Sequence, residues 1–171
     1  MQEYVWLFPI IFVFHDFEEI IFLRFWLDKN RNFLEKNYPF VLKRYGSVSS
    51  EAFAFGVFEE FVLCIIICIL AVWADNKFVW LIWLGCFSAC AIHFIVHIFQ
   101  AVIIKRYIPA IATSVITLPV SIWIIAKSYN EIAVTPIEFA TFTIIGVIIV
   151  FINLKFALFL ISKFQKFLDT K

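Results

Sequence analysis

Five long apolar runs, separated by short polar stretches, constrain this chain more than any other feature. A helix needs roughly 20 residues to cross a hydrocarbon core of about 30 Å. Runs of that length fall near residues 4–27, 52–74, 78–104, 108–126 and 138–162. Composition agrees: 64% of residues are hydrophobic, 20% aromatic and only 16% charged, whereas a typical globular domain is about half apolar and about a quarter charged. The expectation is an all-α, polytopic membrane helix bundle with about five transmembrane helices. Its 171 residues form one transmembrane domain, 1–171, with a loop at 28–51. Met1-Gln2-Glu3-Tyr4 lacks the basic start of a secretory signal, so the first run is expected to remain as a span. A net charge of +1 gives no reason to expect nucleic acid as a partner.

Local chemistry marks the helix starts. Thr135-Pro136-Ile137-Glu138 has the form of a capping box with proline at the first helical position. Pro109 sits just inside the fourth run, and Asp75-Asn76-Lys77 makes a polar turn between the second and third. Pro9 and Pro119 lie within runs and are expected to kink them. With the N-terminus outside, the cytoplasmic segments hold Lys29, Arg31, Lys36, Lys43, Arg44, Lys105, Arg106, Lys163, Lys166 and Lys171, against Lys77 and Lys127 outside. This asymmetry predicts an N-terminus out and a C-terminus in the cytoplasm of a multi-pass protein of the cell membrane. The loop at 28–51 mixes these basic residues with aromatic ones, a composition suited to a lipid surface.

The first run carries His15, Asp16, Glu18 and Glu19 within five residues. Acidic residues at the centre of a membrane helix cost roughly 2.5–3.5 kcal/mol each, so these groups must find partners inside the bundle. The second run brings Glu59 and Glu60, and the third brings His93, His97 and Gln100. Counted from the cytoplasmic ends at 1.5 Å per residue, all of them fall within about two helical turns of one level. His93 and His97 share a helix face, as do His15, Glu18 and Glu19. Cys64, Cys68, Cys86 and Cys90 extend the inward stripes and are expected to be small buried hydrophobes.

Five carboxylates at this depth face one basic side chain, Arg24, which can instead reach the interface. Either several carboxyls are protonated or a cation is bound. Histidine nitrogen with carboxylate oxygen suits zinc, iron or manganese, as one or two ions. The candidate metal ligands are His15, Glu19, Glu60, His93 and His97, and the candidate catalytic carboxylates are Glu18 and Glu59.

His15, Glu18 and Glu19 spell His-x-x-Glu-Glu, and the chain resembles the HXXEE family of membrane proteins of unknown function. That family also has a further histidine, matched by His93 or His97, and a Tyr-x-Pro-Gly motif. Here the latter reads Tyr107-Ile108-Pro109-Ala110, with alanine in place of glycine. The resemblance runs over roughly residues 15–110 and implies a membrane protein with an active site of unstated reaction. The cluster itself suggests a metal-dependent membrane enzyme, a hydrolase or di-metal oxidase of a lipid or other hydrophobic substrate at the inner leaflet. There Arg106 and Tyr107 could meet a headgroup. The alternative is a transporter of metal ions or protons through the same cluster, with a homodimer supplying the repeat that one chain lacks.

Overall fold

In the computed structural model, which describes residues 2–170, every helix or strand assigned is a helix. They are α1 (Leu7–Lys29), α2 (Arg31–Asn37), α3 (Pro39–Tyr45), α4 (Ser50–Ala74), α5 (Lys77–Ile104), α6 (Ile111–Glu131) and α7 (Pro136–Asp169). Four of them, α4 to α7, are long and apolar enough to cross a membrane. At 23 residues α1 matches them in length, but the ionisable residues in its middle set it apart.

The long helices α4, α5 and α7 each begin where a side chain satisfies free amides of the first turn. Ser49 accepts from the Ala52 amide to start α4, and Asn76 accepts from Val79 to start α5. Thr135 and Glu138 form the expected capping box of α7. α6 differs: it begins at Ile111 rather than at 108, because Ala110 adopts a left-handed conformation (φ 70°) that breaks the helix before it. Pro9 lies in the first turn of α1, where its missing N–H has no helical partner to lose, so the expected kink has no cause there. Pro119 is inside α6.

Packing centres on α5. Its residues Trp83, Phe87 and Phe94 are fully buried, and the Trp83 and Phe87 rings stack at 5.4 Å. The most extensive interface joins α5 to α7. There Gly85 and Gly146 meet backbone to backbone: a Cβ added at Gly146 would lie 2.2 Å from the Gly85 carbonyl. Small residues permit such close approach between apolar helices. At Gly56 of α4 the obstacle is only the flexible end of Ile161, 2.6 Å from an added Cβ.

The segment expected as a loop at 28–51 contains the two short helices α2 and α3, which fold back on one end of the bundle. Leu34 of α2 packs with Trp26, Leu27 and Ile108 in a second apolar cluster, which Tyr38, Val41 and Leu42 border. Three polar ties hold this end of the bundle together. Arg24 donates to the Gly46 carbonyl, Trp26 Nε1 donates to the Tyr107 carbonyl, and Arg106 donates to Asn30 while lying over the Phe33 ring at 4.2 Å. Arg24 and Arg106 are therefore both engaged in joining segments.

The helix seam gives a direct expectation. Gly146→Ala should lower stability by about 1–3 kcal/mol, the usual cost of overpacking, whereas Gly56→Ala should cost under half as much. Thermal unfolding of the two purified variants in the same detergent checks the order.

Candidate metal centre and cavity

His15 from α1 and His93 and His97 from α5 converge. The ring centroids lie 5.4 Å apart for His15–His93, 5.0 Å for His15–His97 and 4.4 Å for His93–His97. One nitrogen from each ring lies within 4.8 Å of the others. The Nε2 atoms of His93 and His97 are 2.9 Å apart. An ion held tetrahedrally at about 2.0–2.1 Å from each nitrogen places them about 3.3–3.4 Å apart, so the widest pair would close by up to about 1.5 Å.

Hydroxyl groups of α6 orient His15. Its Nδ1 lies 3.3 Å from Thr113 Oγ1 and 3.4 Å from Ser114 Oγ. The Thr113 hydroxyl also meets Glu18 Oε2 at 2.7 Å. Donation from Thr113 to the carboxylate leaves its oxygen free to accept from His15 Nδ1–H, which places a lone pair on Nε2. That Nε2 is buried with no hydrogen-bond partner, as is Nδ1 of His97. A ring tied at one nitrogen, with the other bare and facing two more imidazoles, is the disposition of a metal ligand.

The carboxylates divide into two sets. Glu18 is committed to α6. It accepts from the Ala112 amide at 3.3 Å, the Thr113 amide at 2.7 Å and the Tyr107 hydroxyl at 2.7 Å. It thereby supplies the cap that Ala110 cannot. Burial and the adjacent Glu18 carboxylate raise the Tyr107 phenol above its usual range, so it remains a donor. Glu59 turns to α7 and accepts from Asn153 at 3.2 Å. Asp16, Glu19 and Glu60 form the second set. Glu19 Oε1 is 3.9 Å from His97 Nε2. Asp16 is 5% exposed, has a buried oxygen without a partner, and lies within Coulombic reach of Glu19 and Glu60. The face shared by His15, Glu18 and Glu19 in the sequence is thus split, with His15 and Glu18 meeting α6 and Glu19 turning inward.

These three carboxylates border a cavity of about 630 Å³ together with His93, His97 and Gln100. The remaining lining is mostly apolar and comes from α1, α4, α5, α7 and the α2–α3 segment. His93 is open to this space, whereas His15 is fully buried behind it. Cys64, Cys86 and Cys90 line the same space as free thiols, and Cys68 donates to the Val5 carbonyl at 3.2 Å.

Three contributors were not singled out in the sequence as site residues. Asp16 stood within the acidic run but outside the ligand set. Thr113 and Ser114 come from a fourth apolar helix in which buried Thr113, Thr117 and Ser121 recur at four-residue steps. That hydroxyl stripe is the available signal, though Thr117 and Ser121 donate to carbonyls of their own helix.

A family model described as a protein of unknown function with HXXEE motif matches residues 6–124. Neither the curated proteins nor the solved structures contain a match. Within the matched residues, Ala110 has a φ of 70°, which is costly for any residue with a Cβ. Ala110→Gly should raise stability by about 0.5–1 kcal/mol, read as a higher unfolding temperature. Glu18→Gln and Tyr107→Phe should each destabilise, and their double-mutant cycle should show a coupling of about 0.5–3 kcal/mol. Additive losses would mean that the two groups act separately.

Proposed function

The chain belongs to the HXXEE-motif family, whose function is unknown, and from its site we propose that it is a metal-dependent membrane enzyme acting on a lipid or other hydrophobic substrate. The observation that carries this reading is the bare, buried Nε2 of His15 facing His93 and His97 at the edge of a carboxylate-bordered cavity. The three histidines hold a divalent ion, zinc, iron or manganese by the chemistry of the donors. Glu19 is the carboxylate nearest to them. Such an ion supplies Lewis acidity and an activated water to a hydrolase, or redox chemistry to an oxidase with a second ion. Asp16, three residues before Glu19 on α1, and Glu60 of α4, both in the cavity lining, provide the carboxylates for that second ion or for proton transfer.

Glu18 acts at one remove, holding Thr113 and through it the His15 ring. Glu59 is proposed to serve the α4–α7 contact, in line with its bond to Asn153.

The same reading takes α1 as a fifth span of a multi-pass protein in the cell membrane, with the N-terminus outside. Ile10, Phe14, Phe17, Ile21 and Phe25 are all at least half exposed and form one stripe along α1. Its acids point the other way, an arrangement suited to lipid outside and a polar centre inside. The cavity is closed beyond its α1 N-terminal end by Val5, Trp83 and Phe87, all fully buried. A sealed end favours an enzyme pocket over a conduit for ions or protons.

Elemental analysis of protein purified without chelator should find about one equivalent or more of a divalent transition metal per chain. His15→Ala and His97→Ala should each lose at least nine-tenths of it. Thr113→Val should weaken metal binding by about 10–100-fold, as expected for loss of an orienting partner. A Cys68→Ser control should retain the metal. Folded wild-type protein that stays metal-free after exposure to zinc, iron and manganese would end this reading.

A further inference from the structure

The placement of the polar groups along the cavity restricts what can occupy it. On α1 the lining runs from Phe8 to Trp26, and on α5 from Cys86 to Ile104. Each stretch advances about 27 Å at 1.5 Å per residue. On α4 it runs from Phe53 to Ile67, or about 21 Å. On all three helices the carboxylate and histidine groups lie toward the middle of the stretch, with Gln100 nearer the Ile104 end. Asp16 is eight residues from Phe8 and ten from Trp26, Glu60 is seven from either end of its stretch, and His93 is seven from Cys86 and eleven from Ile104. A cavity of about 630 Å³ lined over about 27 Å of helix is elongated, a shape that suits an extended alkyl chain.

The two ends differ. At the α1 N-terminal end the lining is Phe8, Phe12, Ile67 and Cys86, with buried aromatic residues beyond. At the other end stand Tyr38, Arg44 and Tyr45 of the α2–α3 cover. Among the described residues Arg44 is the one Lys or Arg in the lining, and it is exposed, with its guanidinium 5.9 Å from the Tyr45 ring.

We propose that the cavity binds one long, unbranched amphiphile with an anionic head at Arg44, its chain passing the histidine–carboxylate layer midway and ending against Phe8 and Ile67. This deepens the enzyme reading and rests on the same cavity. It makes the substrate a single-chain lipid that presents an internal carbon, rather than its head, to His93 and His97. An extended chain advances roughly 1.2 Å per bond, as a peptide does over its three bonds per residue. The layer, about 10–16 Å along the helices from Phe53, Trp26 and Ile104, therefore faces roughly the ninth to thirteenth bond from a head held at that end. A chain of about twenty carbons fills the length.

Photocrosslinking tests this register. Protein in nanodiscs of uncharged lipid is irradiated with an eighteen-carbon fatty acid bearing a diazirine either at mid-chain or at its end, and the labelled peptides are mapped. A lysophospholipid with the same two diazirine positions, run in parallel, shows whether carboxylate or phosphate is the preferred head. The mid-chain probe should mark Glu60–Cys64 or Cys90–His97, and the terminal probe Phe8–Phe12 or Ile67. Stearate should compete at least tenfold better than octanoate. Arg44→Gln should cut labelling by the anionic probe at least fivefold and leave labelling by the corresponding alcohol unchanged. Label spread equally over the outward residues Phe14, Ile66 and Phe99, or the two probes exchanging ends, would overturn the proposal. Metal content measured on the same samples separates the two readings: cavity labelling without metal sinks the enzyme assignment alone, and metal without cavity labelling sinks this one alone.

Discussion

An inversion of the usual helix pattern in α1 governs the rest of the structure. A stripe of its large apolar side chains, Ile10, Phe14, Phe17, Ile21 and Phe25, faces outward, while His15, Asp16 and Glu18 are buried. A helix built this way is unfavourable alone in water or in hydrocarbon, since one face or the other is always in the wrong medium. It becomes stable only when its acids are taken up by partners. α6 supplies amides and hydroxyls to Glu18 and His15, and α5 supplies the two remaining imidazoles. The cost of inserting these charges is thereby converted into a requirement for one arrangement of three helices.

Glu18 shows how a single side chain connects motif to fold. The first turn of α6 has free amides and no capping side chain at Ala110, so a carboxylate from another helix serves in its place. Tyr107 adds a third donor from the connecting turn. The first glutamate of the motif and the Tyr-x-Pro segment, some ninety residues apart, are thus two halves of one helix cap. Their joint occurrence has a structural reason as well as any chemical one.

Much of this was legible in the sequence because membrane burial makes polar residues conspicuous. The convergence of His15, His93 and His97 followed from counting depth along apolar runs, and the α7 capping box from four residues. Two things were hidden. Glu18 and Glu19 are adjacent and equally acidic, and only the position of α6 sends one to a helix cap and the other to the cavity. The short helices α2 and α3 lie in a stretch of mixed basic and aromatic residues whose role depends on Trp26 and Ile108, far away in sequence or on another element. The five-span expectation meets a similar limit. Length and apolarity single out four helices, and α1 falls short by the very residues that build the site.

The glycine seam between α5 and α7 bears on how the interior can be reached. Where two backbones touch through Gly85 and Gly146, no side chain lies between them that could rotate to make room. That wall is stiff in the same way as a protein core, where close packing leaves few alternative arrangements. The α2–α3 cover, by contrast, is fastened through a small apolar cluster and hydrogen bonds from Arg24 and Arg106. Of these two sides the cover is the one that can yield, and the glycine seam is the fixed reference against which His93 and His97 keep their positions.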